Sequence, residues 1–424
     1  MTVMFPPRAA VRGAWLTAWL AALPLAGHAQ SYETGGIQLT FGTAFGLVGT
    51  DNEGPRSDGG ESTIDARFTP SFGLLTQTPT SSFGFEGATD IRYGTSSPDV
   101  GLTSPRVETR FETHSANAGL ELTGNFRQMD LGEEKFTVRD ADGLTDFVNG
   151  TATRQTSRAT VELDWGRDAM AAFSVYARGN QTIYTSGNAS GLNGNSLADN
   201  SRRTVGASTR LDISPAMQLD AELSYSAFED GTSPDASETV TATAGLSLDR
   251  PLGAVSTEAT LVDTPNGQRY GLSAGRTLEF PIGPVTAQIG AMHLPQGETV
   301  MTGSLSTFRT YVRSEFEFAL SRDVSSLNEQ DSERLNTRMR VNFTRALTRD
   351  AEFQINLDAV QARDFETDAE SFDTTLDILY SKGLTKDWIG DAGYSYRYIE
   401  DTPGDMAQAN TVYLLLRRKF VTSY

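Results

Sequence analysis

The sequence predicts an all-β protein: a single closed antiparallel up-and-down transmembrane β-barrel of about 20 strands, with 18 as the alternative count. Three observations carry this. Apolar and polar residues alternate with period two from Gly35 almost to the C-terminus, connectors alternate between tight and long, and after residue 29 no apolar run reaches the roughly 20 residues of a spanning helix.

The first 29 residues read as an export signal. Arg8 and Arg12 supply a positive start, and an apolar run from Ala14 to Ala26 follows. Gly27-His28-Ala29 then offers small residues where a signal peptidase reads, which places cleavage after Ala29 and the barrel over 30–424. The chain has no Cys, so neither a disulfide scaffold nor thiol chemistry is available to it. Its net charge of −19, about −21 once Arg8 and Arg12 leave, excludes nucleic acid as a partner, because phosphate binding needs a basic surface.

The alternation is regular from strand to strand. Phe83, Phe85, Gly87, Thr89, Ile91 and Tyr93 interleave with Gly84, Glu86, Ala88, Asp90 and Arg92. Met217, Leu219, Ala221, Leu223, Tyr225 and Ala227 interleave with Gln218, Asp220, Glu222, Ser224 and Ser226. The same pattern runs through Val312–Ser321, Arg334–Phe343 and Glu352–Ala359. Successive side chains of a strand point to opposite faces, so each segment has one face for oil and one for water. A helix would scatter these charges around its whole circumference.

The tight connectors include Thr78–Thr80, Gly166–Asp168, Ser214–Ala216, Arg250–Gly253, Phe280–Gly283 and Lys382–Thr385. The more polar, often longer set includes Asp51–Glu61, Asp130–Thr151, Ser186–Ser201, Glu229–Ser237, Asp323–Asp331, Asp364–Glu370 and Asp401–Met406. Their order puts both chain ends on the tight-turn side, which requires an even strand number; the two counts differ in how Arg106–Arg127 is cut. One internal repeat has an offset of about 30 residues: Arg250-Pro251-Leu252-Gly253 matches Phe280-Pro281-Ile282-Gly283, and Thr264-Pro265-Asn266-Gly267 matches Leu294-Pro295-Gln296-Gly297. A hairpin with its connector has that length, so the repeat reads as hairpin duplication.

A soluble sandwich also alternates, but about seven to nine strands complete one. Here a single series runs more than twice as far, and Arg106, Glu108, Arg110 and Glu112 occupy four successive positions on one face. In a bilayer only closure satisfies the backbone of every strand. Phe72, Trp165, Phe343, Trp388, Tyr394 and Tyr396 are expected near strand ends, where aromatic girdles meet lipid headgroups. At the C-terminus Val412, Leu414, Leu416 and Phe420 alternate with Tyr413, Arg417 and Lys419, with Arg418 breaking the apolar face.

On these residues the chain resembles Gram-negative outer-membrane β-barrel proteins of the porin-like kind. The resemblance is one of pattern and covers nearly all of residues 30–424. It implies a barrel in the cell outer membrane, in contact with lipid and lipopolysaccharide and inserted by the outer-membrane assembly machinery; a homo-oligomer is compatible with it. Because Ile37, Leu39, Phe41 and Phe45 begin the first strand, no plug domain is expected ahead of the barrel, unlike the TonB-dependent receptors.

Chemistry is sparse. His114 sits beside a tight turn and His293 near a strand end, and His114-Ser115-Ala116-Asn117 lacks the spacing of a nucleophile with its base. No enzyme activity and no cofactor are expected. Asp140, Asp142 and Asp146 form the one weak candidate for divalent-cation binding, in the longest outer loop. The polar faces carry the functional information. Glu86, Asp90, Arg92, Arg106, Glu108, Arg110, Glu112, Glu121, Arg127, Arg158, Glu162, Arg178, Arg210, Glu222, Arg338 and Arg340 are expected to line the lumen, where charged rings tune ion passage. The sequence thus suggests a passive porin-like channel for small polar solutes or ions. The alternative is a non-conducting structural or surface-receptor barrel read through acidic extracellular loops.

Overall fold

Pro-x-Gly turns show how the chain reverses. In Arg250–Gly253 and Phe280–Gly283 the proline presets the first corner, and the glycine after it takes a φ of 118° and 130°. At the opposite end of the same hairpins Gly267 and Gly297 close their Pro-containing turns with φ of 119° and 89°. Gly283 is also sterically locked, since a Cβ there would lie 1.8 Å from the Phe308 carbonyl oxygen. Gly283→Ala is therefore expected to cost well over the roughly 1–2 kcal/mol of the backbone conformation alone. At Gly297 a Cβ meets nothing within 4 Å, so Gly297→Ala should cost only that backbone amount. Urea unfolding of the two variants in lipid vesicles measures the difference.

A computed structural model describes residues 36–424 apart from 53–61, 96–100, 131–136, 140–144, 148, 151, 186–188, 191–197, 232–235, 328–331, 366–367 and 402–404. Twenty long strands follow one another: β1 Gly36–Thr50, β2 Thr63–Gln77, β3 Ser81–Gly94, β4 Gly101–His114, β5 Ala118–Asp130, β6 Thr153–Trp165, β7 Ala171–Thr185, β8 Asn200–Ser214, β9 Met217–Asp230 and β10 Ser237–Arg250. The second half comprises β11 Gly253–Thr264, β12 Gly267–Phe280, β13 Gly283–His293, β14 Thr299–Thr310, β15 Ser314–Leu327, β16 Ser332–Ala346, β17 Ala351–Asp364, β18 Glu370–Gly383, β19 Trp388–Asp401 and β20 Asp405–Ser423. Each pairs antiparallel with its neighbours in sequence, and β1 pairs with β20 to close the barrel, for example Phe41 with Phe420. The Ile37 and Tyr424 backbones exchange hydrogen bonds of 3.1 and 2.8 Å at the seam. Both termini of the barrel lie at the tight-turn end, here called the lower end.

The count is 20, and β4 and β5 fill the stretch that left 18 open. Ser104, with φ 52°, and Pro105 take up a bulge where the β3–β4 register shifts between Ala88 and Asp90. Some expected boundaries move. Asp323–Asp331 is not all loop, since β15 continues to Leu327; β8 already begins at Asn200 and β20 at Asp405. Phe72, Tyr394 and Tyr396 stand well inside β2 and β19 rather than near strand ends. Phe72 instead bridges Phe41 and Phe85, with ring centroids 5.3 and 6.1 Å apart, as part of an aromatic band. The charge that breaks the last strand's pattern is accommodated at the lower rim. Arg418 lies over the rings of Trp388 and Phe420 and reaches Asp387 at 3.4 Å, so its stem covers apolar surface while its head stays polar.

One parity of each strand faces outward and is apolar: Phe45, Leu47, Leu223, Leu272, Ile289, Met301, Leu414 and Leu416 are all exposed there. The other parity faces inward, where curvature brings side chains together across an intervening strand. The Tyr176 hydroxyl on β7 donates to Glu222 on β9 at 2.6 Å, passing over Gly206 of β8. A closed, even-stranded antiparallel barrel with an apolar outer surface and a polar interior is the architecture of an outer-membrane β-barrel.

Candidate functional site: the inner wall

Parity and register decide which side chains can act on a solute. Glu86, Asp90, Arg92, Arg106, Glu108, Arg110, Glu112, Glu121, Arg127, Arg158, Glu162, Arg178, Arg210, Glu222, Arg338 and Arg340 all lie on the inward parity of β3–β9 and β16. The register sets Arg106 beside Arg127, Glu112 beside Glu121, Arg158 beside both Asn125 and Asn180, and Arg210 beside Asp220. These residues do not form one uniform lining. Arg92 is buried against Asp65, with Nε donating to Oδ2 at 2.7 Å. Arg338 and Arg340 converge on Asp358 of β17 at 2.5 and 3.4 Å. Arg110, by contrast, reaches Glu121 at 3.2 Å and Glu112 at 3.7 Å while remaining more than half exposed.

The inner wall is layered by height. Toward the upper, long-loop end it is closed in: Asp65, Arg92, Arg154, Thr182, Thr204, Asp364, Asp373 and Arg397 are all buried. Several form ion pairs there, Arg334 with Asp364 at 3.9 Å and Arg397 with Asp373 at 3.5 Å. Toward the lower end, inward carboxylates form a collar: Glu112, Glu121, Asp164, Asp212, Asp249, Glu279, Glu315 and Glu352 each lie within the first or last few residues of a strand, at its lower end. Cations partner part of the collar. Arg110 serves Glu112 and Glu121, Arg167 pairs with Asp164, and Arg210 lies 3.7 Å from Asp212. Glu279 and Glu315 are exposed, on strands with no inward cation at that level among the described residues.

A second asymmetry runs around the circumference. The inward faces of β10–β14 are nearly all small or uncharged, with Thr241, Thr243, Ser256, Gly271, Ser273, Gly275, Gln288, Gly290, Thr302 and Ser304. The charged pairs therefore concentrate on the remaining arc. Sequence reading did not single out Asp65, Asp391, Asp249 or Glu279. Their parity alone would have placed them on the inner face, whereas their partners depend on register.

Asp140 and Asp142 lie outside the described residues; of Asp146 only the backbone is described, opposite Val138 in a short ladder. A second short ladder joins the β5–β6 and β7–β8 loops through Gly150 and Ala189. His114 ends β4, and its backbone N–H donates to Thr80 at 2.8 Å. His293 faces outward on β13 with Nδ1 3.0 Å from the Thr299 hydroxyl, whereas His114 shares the inward parity of Glu112 at the lower rim. Residues 1–29, read as the export signal, are outside the described residues.

No protein-family model matches the chain, and no curated protein matches it in sequence. Among solved structures it is similar to the siderophore receptor PirA of Pseudomonas aeruginosa, at 11% identity and a TM-score of 0.49 over 90% of this chain and 80% of that one. It is also similar to OccK3 (OpdO) of Pseudomonas aeruginosa, at 11% identity and a TM-score of 0.39 over 91% and 96%. PirA of Acinetobacter baumannii gives 8% identity and a TM-score of 0.48 over 90% and 80%. At such distances the chemistry has to come from this barrel's own wall.

Proposed function

We propose that the protein is a passive outer-membrane channel for small polar solutes or ions, with a preference for cations, exported by a cleaved signal covering residues 1–29. The acidic collar at the lower mouth is the observation that carries this reading. A ring of carboxylates in a low-dielectric wall concentrates counter-ions and raises their passage over that of anions. A barrel of 20 strands has the circumference for a water-filled lumen, since porins of roughly 16–18 strands already have one.

The test is conductance of the purified, refolded protein in planar bilayers under a salt gradient. Open-channel steps are expected, with a reversal potential on the cation side. Glu279→Gln with Glu315→Gln should move that potential toward zero, and more strongly at low salt, where screening is weaker. A reversal potential on the anion side would overturn the selectivity.

The buried upper layer favours a second reading, a non-conducting barrel that acts through its outer loops on the cell surface. Absence of steps at any voltage would select it.

A further inference from the structure

The wall is not continuous at its upper end. The β13–β14 ladder runs to His293↔Thr299 and the β15–β16 ladder to Leu327↔Ser332. Between them, the β14–β15 ladder stops at Gly303↔Arg322, so the upper thirds of these two neighbours are not paired to each other. The chain is not simply frayed there, because specific buried contacts form instead. Arg269 of β12 bonds Glu333 of β16 at 2.6 Å, with both side chains buried.

That contact joins strands four apart, about 19 Å along a regular wall, which is beyond the reach of the two side chains. It also joins opposite faces. Arg269 points inward, beside Val262, whereas Glu333 shares the outward parity of Leu335, Met339, Val341 and Phe343. An inward group meets an outward group only where one layer lies inside the other. The upper ends of β15–β17 therefore pass behind the tips of β11–β14. Burial agrees on both surfaces: inward Val262, Leu294 and Val300 on one, outward Leu335 and Ala359 on the other. Arg363, on the outward parity of β17, feels the charge of Glu298 from the β13–β14 tip.

We propose that the upper ends of β15–β17 form a flap with two seats, tucked inside the lumen or zipped into the wall along β14, and that the Arg269–Glu333 pair latches the tucked seat. The second seat is specified by the ladder itself. Continuing its register beyond Gly303↔Arg322 sets Thr302 against Asp323, Met301 against Val324 and Val300 against Ser325. Parity matches at each pair, Met301 and Val324 outward, Val300 and Ser325 inward. Zipping would make the missing strand–strand bonds, lose the apolar contacts under the tips, and widen the upper lumen. The latch carries a defect that keeps the two seats close in free energy: neither Oε1 of Glu333 nor Nε of Arg269 has a hydrogen-bond partner among the described residues. As regulation of passage this rests on the channel reading, but the movement itself does not.

The absence of cysteine makes the test clean. Met301→Cys with Val324→Cys puts two thiols at a spacing a disulfide can bridge only in the zipped seat. In the full chain in lipid vesicles, oxidant should cross-link this pair slowly. Adding Glu333→Gln should speed cross-linking at least several-fold, and exchanging the latch charges (Arg269→Glu with Glu333→Arg) should restore the slow rate. The cross-linked protein should show a larger conductance step. Equal cross-linking with and without Glu333→Gln, or none in either, overturns the flap. Cross-linking that follows the latch with no conductance in any form supports the flap and removes the channel reading. Conductance unchanged by the cross-link overturns its role as a gate.

Discussion

Leu223→Arg should destabilise the folded barrel by about 2–4 kcal/mol, and Ser224→Arg, one residue along, by under about 1 kcal/mol. Both lie midway along β9, between β8 and β10, so backbone context is shared. What differs is the medium. Leu223 is 58% exposed on the outward parity with Tyr225 as its neighbour, and a guanidinium there must enter hydrocarbon near the bilayer midplane or drag water to itself. Ser224 is on the inward parity, two positions from Glu222, where a new cation finds water and a carboxylate. Reversible urea unfolding in lipid vesicles gives both numbers. Equal costs would mean that the exposed apolar face does not meet the bilayer, and the membrane assignment would fail with it.

That contrast depends only on alternation, which is why it can be read from the residues alone. Leu223 and Ser224 declare their faces by type, and the alternation of tight and long connectors declares the two ends, so closure and inner-face membership follow from local pattern, with the strand count narrowed to 20 or 18. The upper seam does not. Glu333 continues the parity of Leu335 and Met339, and the sequence around it reads as one more strand in a round wall. Its partner, Arg269, lies 64 residues earlier on a strand four places away. Nothing local encodes a layer folded behind another; it arises from how short the β11–β14 hairpins are and from which strand edges remain paired. The small inward residues of Gly271, Ser273 and Gly290 were visible as composition, but their meaning came only with the register. Likewise Asp358 is one carboxylate among many in the sequence, and the convergence of Arg338 and Arg340 on it is a product of the ladder.

Removing Arg92 should be a costly loss of a single charge in the wall, about 3–5 kcal/mol for Arg92→Ala. Asp65 and Arg92 are 1% and 6% exposed, and the carboxylate accepts from both Nε and Nη2. The pair is diagonal across β2 and β3, with Gly94 directly opposite Asp65, where a Cβ would lie 1.9 Å from Oδ1. That crowding leaves the carboxylate little room to turn toward water once its partner is gone. The reverse deletion is costly for a different reason: Arg67 stands directly opposite Arg92, so Asp65→Ala sets two guanidiniums abreast with less counter-charge between them. Replacing both members with leucine removes the buried charge as well as its partner, and is expected to recover most of the loss, to within about 1–2 kcal/mol of the parent. The quantity to measure is the coupling in a double-mutant cycle, from unfolding of all four proteins in vesicles. If Arg92→Ala alone lies within about 1 kcal/mol of the parent, water reaches Asp65 freely and the upper layer of the lumen is open rather than packed.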